Sequence, residues 1–344
     1  MITVKLNHCL FHYNYWRIRD SNIQPFSTTT KNTIFTGGNA LFKLEFNDKS
    51  TTGTLNILHS EFAHGRSTLG HVGGGGLEIN IKPKDSAEYS ELEAYNITVY
   101  NCSMYKNTAS VGANMLISIY MPLYSSMTIH IDNCKFFEGN STSKGAGFML
   151  QIESTSYEDE FLRLLSYTKN VTVYLENSEF YGNSAANGSG LYLGVESVHI
   201  PNTYCNFIIQ QCAFQGNTGE YGSGMYIFSD LSMDIFMMSI KDLIFVGNNA
   251  STAGSAMYID LKWFRNHFPY NNFHSEATLC IIDLLNSTFI QNAGYFEGTT
   301  VYITAPVDPR LFPLYFLMLM KYLFSAASYY QIISSTSFVL IVLR

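Results

Sequence analysis

The chain has 344 residues, with 20 Lys and Arg against 27 Asp and Glu and a formal net charge of −7. Only 14% of residues are charged while 15% are aromatic, which suits a long continuous core and argues against nucleic acid, since no basic stripe appears. The six cysteines form no CxxC pair and no zinc-ligand pattern.

Met1 is followed at once by an alternating strand, Ile2-Thr3-Val4-Lys5-Leu6, with no charged and apolar leader. The expectation is a chain that opens inside a coil and lacks its true N-terminus, rather than a cytosolic protein. Residues 2–14 read as half of a first coil and 15–36 as a polar insertion. Residues 37–81 complete a second coil. Its run Gly73-Gly74-Gly75-Gly76 reads as a turn, because neither Lys-Ser/Thr nor a helix follows, as a phosphate cradle requires.

One unit recurs about eight times in frame. A short-residue column reads Cys9, Ser60, Cys102, Cys134, Ser178, Cys212, Leu243 and Ser287, always after a polar residue. Two positions on comes Phe11, Phe62, Met104, Phe136, Phe180, Phe214, Phe245 and Phe289. Then follows Asn14, Gly65, Asn107, Asn140, Asn183, Asn217, Asn248 and Asn292, the fourth reached by a one-residue insertion. In six repeats a small-residue cluster follows, such as Gly188-Ser189-Gly190-Leu191 or Gly222-Ser223-Gly224-Met225.

Before each motif lies an alternating run such as Val171-Thr172-Val173-Tyr174-Leu175, the signature of a strand with one face in a core. The glycine cluster opens a second strand. Two or three short strands per repeat, with Gly and Asn turns, predict one coil of a parallel β-solenoid. Equivalent columns then stack at about 4.8 Å, and eight coils give a rod of roughly 35–40 Å. Phe180, Phe214, Phe245 and Phe289 become a core stack. Asn183, Asn217, Asn248 and Asn292 become a ladder at a bend, where Asn tolerates the left-handed conformation. Cys102 and Cys134 share a column in consecutive coils and read as buried thiols rather than a disulfide.

Residues 82–93 and 154–169 are acidic loops without a calcium-loop pattern and read as solvated insertions. Residues 262–276 are an aromatic insertion that caps the sheet or binds something. His59, His64 and His71 lie in one coil, but no carboxylate or Cys completes a metal set. No metal and no cofactor is expected. Residues 1–304 thus form the repeat domain and 305–344 a hydrophobic C-terminal segment. Within it, 311–343 reads either as a membrane helix or as a cap on the last coil. Seven Asn-x-Ser/Thr sequons begin at Asn96, Asn101, Asn140, Asn170, Asn187, Asn249 and Asn286, in weak support of secretion.

The paired Phe-x-x-Asn and Gly-Gly-Ala-like halves resemble the repeat of the polymorphic outer membrane proteins and other pectin-lyase-like β-helix ectodomains. The resemblance covers residues 2–304. It implies a right-handed parallel β-helix and a surface, adhesion-type role. The Gly half here is mostly Gly-Ser-Gly or Gly-Ala-Gly.

Loop lengths vary while the core columns hold, which suits a non-catalytic cell-surface or secreted scaffold that binds a glycan or protein. The competing reading is a polysaccharide lyase or hydrolase of the same fold. That chemistry needs carboxylates converging with calcium and a basic group, or a close carboxylate pair. No acidic residues are expected to recur at strand spacing on one face, and no Ser-His-Asp set emerges from the columns. A third reading is a fragment of a larger surface protein. The candidate contact residues are Tyr192, Tyr226, Tyr258 and Tyr302, which share one column between apolar neighbours and should face outward as an exposed ladder. Lys43, Glu78, Leu116 and Met149 fall in or near that column in earlier coils.

Overall fold

A computed structural model describes residues 2–7, 10–12, 40–46, 52–67, 73–83, 91–121, 124–154, 169–197, 203–230, 235–262, 279–294 and 300–304. The insertions at 15–36, 155–168 and 263–276, His71 and the segment 305–344 lie outside them, as do most residues of the loop at 82–93.

Each coil repeats two long strands and a three-residue strand between them, and five coils add a short turn strand among the described residues. In one, a long strand Thr203–Gln210 is followed by a three-residue strand Ala213–Gln215, a short turn strand Thr218–Tyr221 and a second long strand Met225–Asp230. Equivalent strands of successive coils pair in parallel. They build three eight-stranded sheets and two small turn sheets, and every sheet follows chain order from one end to the other. No helix occurs among the described residues. The chain is a parallel β-helix solenoid.

We call the sheet from Ile2–Asn7 to Leu279–Leu285 the back sheet and that from Leu10–His12 to Thr288–Ile290 the narrow sheet. The front sheet runs from Ala40–Phe46 to Val301–Thr304.

Alternation decides what each strand buries. Val171, Val173 and Leu175 of the back sheet point inward, as do Leu191, Leu193 and Val195 of the front sheet. The middle residue of each narrow strand is the phenylalanine column. Phe136, Phe180, Phe214, Phe245 and Phe289 stack at 4.9, 4.7, 4.8 and 5.1 Å between ring centroids. All but Phe289 are fully buried; Phe289, in the last coil, is partly so. Cys102 and Cys134 are free buried thiols.

The two bends are solved differently. Before the narrow strand, Asn101, Asn133, Asn177, Gln211, Asp242 and Asn286 all take positive φ, between 46° and 56°. After it, the left-handed residue is not the Asn of the repeat but the residue before it: Lys106, Glu138, Gly182, Gly216, Gly247 and Gln291, at 50–62°. That frees the Asn side chain to turn inward. Asn107, Asn183, Asn217 and Asn248 are completely buried. Asn183 Nδ2 donates to Asn217 Oδ1 at 3.0 Å, Asn217 to Asn248 at 2.9 Å and Asn248 to Asn292 at 2.9 Å. The expected left-handed ladder is therefore an internal amide ladder.

The expected insertion before Asn140 is also corrected. Phe136 pairs with Phe180, and the backbone N–H that meets Asn183 Oδ1 belongs to Gly139. Asn140 is exposed on a turn strand opposite Thr108. The column therefore holds glycine in that coil, with no extra residue.

Candidate functional site

The outer face of the front sheet carries the tyrosine column. Leu191–Ser197, Met225–Asp230, Met257–Lys262 and Val301–Thr304 pair in register, so Tyr192, Tyr226, Tyr258 and Tyr302 are neighbours. The centroids lie 5.3, 5.0 and 4.9 Å apart, with planes within 22° of parallel. The same column continues backward through Met149, Leu116, Glu78 and Leu41. Leu41, not Lys43, is thus the residue in register; Lys43 pairs with Asn80.

The ladder does face away from the main core, but it is not openly exposed. Tyr192 is only 2% exposed and packs with Leu116 and Met149 in a separate apolar cluster, flanked by Val111, Tyr226 and Phe228. The Lys144 ammonium sits 4.8 Å from its ring centroid. The ring also lies across Gly194, where a Cβ would meet Tyr192 Cε1 at 2.8 Å. Tyr221 abuts Tyr258 edge-on at 5.4 Å. Lys144 and Tyr221 end the turn strands Asn140–Lys144 and Thr218–Tyr221 and are linked through Asn187 by isolated bridges. The last turn before the front sheet therefore overhangs the first outward column, which alternation alone does not reveal. Tyr226, Tyr258 and Tyr302 remain half-buried.

The next outward column supplies polar anchors. Tyr226 Oη donates to Asp260 Oδ2 at 3.1 Å and Thr304 Oγ1 donates to Asp260 Oδ1 at 2.8 Å. Lys262 Nζ pairs with Asp260 Oδ2 at 3.4 Å and lies 5.2 Å from the Phe228 ring centroid. Burial, and then the Asp260 charge, hold the Tyr226 and Tyr258 hydroxyls well above the usual phenol range, so both stay protonated donors. Sequence reasoning missed Asp260 and Thr304. Their signal was available, since Tyr258-Ile259-Asp260 and Tyr302-Ile303-Thr304 place both partners two residues beyond a tyrosine on the same face.

Farther along the same face, Glu153 and Glu196 are register partners, with Tyr120 beside Glu153. Acidic residues thus do recur at strand spacing on one face, contrary to the sequence expectation. Register only becomes visible once strand starts are aligned. Burial, followed by the Glu196 charge, raises the Glu153 carboxyl, while hydrogen bonds from Tyr120 and Gln151 oppose that shift.

Among the described residues no group of three or more His, Cys, Asp or Glu is arranged to hold a metal ion. His59 and His64 instead meet Tyr100 and Tyr105 edge-on, at 5.4 and 5.7 Å. Of the sequon asparagines, Asn96, Asn101, Asn140, Asn170, Asn249 and Asn286 are exposed, and Asn187 is half-buried. Asn101 Nδ2 lies 2.8 Å from His59 Nδ1, and Asn286 Nδ2 donates to Asp242 Oδ1. No described helix is long and apolar enough to cross a membrane.

No family model matches the chain, and neither does any curated protein or solved structure.

Proposed function

We propose that the chain is a non-catalytic cell-surface or secreted β-helix scaffold, allied to the pectin-lyase-like and polymorphic outer membrane protein repeats. Its contact surface is the front face of the last three coils, and its partner there is a protein. The observation that carries this reading is the set Tyr226, Tyr258 and Tyr302 held in register around Asp260. The rings cover one another's faces, so what they offer outward is edges and phenol tips. Edges and tips suit a protein surface, where tyrosine is enriched, better than they suit a stacked sugar.

Retention of intact cells on the immobilised chain tests this. Tyr258→Ala with Asp260→Ala should reduce retention about tenfold, and protease treatment of the cells should abolish it. Unchanged retention in a folded double variant moves the contact to the loops.

One observation favours a second reading, a carbohydrate-active enzyme: the adjacent carboxyls of Glu153 and Glu196, one of them raised. Incubation with acidic polysaccharides, with and without calcium, tests it. Turnover abolished by Glu153→Gln would establish the enzyme and displace the scaffold.

A further inference from the structure

Stacking the coils divides the seven sequon asparagines into two sets. Asn96, Asn140, Asn170 and Asn249 each sit on a strand that repeats one arrangement. The asparagine faces out, the middle residue turns in, and the hydroxyl residue two positions on returns to the asparagine's side. Ile97, Ser141, Val171 and Ala250 are the buried middle residues, at 5% exposure or less. Thr142 and Ser251 are exposed, and Thr98 and Thr172 are half-buried. Among the described residues, none of these four side-chain amides has a hydrogen-bond partner.

The adjacent coils also leave them room. Asn140 lies between Thr108 and Ser184, and Asn249 between Thr218 and Ala293. Asn96 lies between Thr54 and Thr128, and Asn170 between Ser126 and Tyr204. Tyr204 apart, every neighbour is a short side chain, so a bulky group leaving the surface meets little.

The other three asparagines are engaged. Asn101 and Asn286 take positive φ at the bend before the narrow strand. Asn101 is held from both sides: its Nδ2 lies 2.8 Å from His59 Nδ1, and its Oδ1 accepts from Asn133 Nδ2 at 3.0 Å. Asn286 Nδ2 donates to Asp242 Oδ1. A sugar on either nitrogen would be set against the side chain it now touches. Asn187 is half-buried between Lys144 and Tyr221. Its hydroxyl residue, Ser189, is fully buried and donates to Thr218 O at 2.6 Å.

The free set has a common geography. Asn96 and Asn170 lie on the back sheet, and Asn140 and Asn249 on turn strands. None of the seven lies in the front or narrow sheet.

We propose that Asn96, Asn140, Asn170 and Asn249 carry N-linked oligosaccharides, which cover the back sheet and the turn edge and leave the front and narrow sheets bare. In each transfer the asparagine Nδ2 bonds to the anomeric carbon of a lipid-diphosphate-linked oligosaccharide. The bond from that carbon to the diphosphate oxygen breaks. The lipid diphosphate leaves with the electron pair, and the nitrogen gives up one proton. The proposal rests on the secreted or cell-surface reading above, and it keeps sugars off the contact face.

Site-by-site mass spectrometry of glycopeptides tests this. The full chain is directed into a eukaryotic secretory route by a cleavable leader and recovered from medium and cells together. The leader supplies the route, so occupancy reports on the fold, whereas failure of the scaffold reading shows in cell retention. All four sites should be occupied, with Asn101, Asn187 and Asn286 bare. Asn→Gln at any of the four should remove the mass of one glycan, and Asn101→Gln should remove none. An empty site among the four overturns the proposal. So does a glycan on Asn101 or Asn286, at the border of the narrow sheet, or on Asn187, beside the tyrosine column.

Discussion

Asn114 and Asn183 are hydrogen-bonded across the coil that separates them: Asn114 Nδ2 donates to Asn183 Oδ1 at 3.1 Å. The intervening coil has Gly139 where its neighbours carry the buried Asn. Asn114, from the small-residue cluster of the preceding coil, fills that place. It accepts from Asn107 Nδ2 at 2.9 Å, so the amide ladder runs unbroken from Asn107 to Asn292. A Cβ on Gly139 would come within 2.6 Å of Asn114 Nδ2 and 2.3 Å of Ala146 O, so the glycine and the displaced Asn belong together.

Removing that link should be expensive. Asn114→Ala leaves buried amides of Asn107 and Asn183 short of a partner, so it should cost about 1–3 kcal/mol in urea unfolding. A loss within error of zero would mean the ladder tolerates a gap.

The phenylalanine stack gives a positional test. Phe214→Ala, between two covered neighbours, should cost about 3–5 kcal/mol. Phe289→Ala should cost clearly less, because Phe289 is only partly buried. Equal losses would show that the last coil is as tightly covered as the middle ones.

Glu78 predicts a pH dependence. It is 5% exposed and lies between Leu41 and Leu116 in the outward column. Burial raises its carboxyl from 4.5 to about 7, opposed by hydrogen bonds from the Gly74 backbone and Asn80. The raised value means the folded state binds the proton more tightly than the unfolded state does. This contribution is fully present below about pH 4.5 and is lost as pH rises to about 7. Glu78→Gln should therefore match the wild type near pH 4 and exceed it by roughly 3 kcal/mol at pH 8. Parallel stability curves for the two proteins would contradict the burial assignment.

Within the tyrosine column, structural and contact roles should separate. Tyr192→Ala removes a buried ring and should cost about 3–5 kcal/mol. Tyr302→Ala, at a half-buried position, should cost much less. Thermal unfolding of the two variants side by side reads this directly, and the reverse order would place the covered end of the ladder in the last coil.

Much of this architecture was legible in the residues alone. The recurrence of Phe180, Phe214, Phe245 and Phe289 at a fixed offset from a polar-plus-small pair, with alternating runs on either side, leaves a parallel solenoid as the economical solution. Period-two alternation also determined that the column Tyr192, Tyr226, Tyr258 and Tyr302 turns away from the core. The physical reason is that these properties depend on neighbours within one coil, and each coil spells them out again.

What only the tertiary structure decided lies between coils or across a bend. Asn140 matches the repeat by residue type, yet Gly139 holds the position and Asn114 fills it, because the column is defined by stacking rather than by spelling. Tyr192 faces outward and is still buried, because Val111 and Lys144 arrive over it from the preceding turns. Glu153 and Glu196 became neighbours only once register was set. Pairing register is a property of two chain segments 30 to 50 residues apart, and side-chain periodicity within either segment carries no record of it.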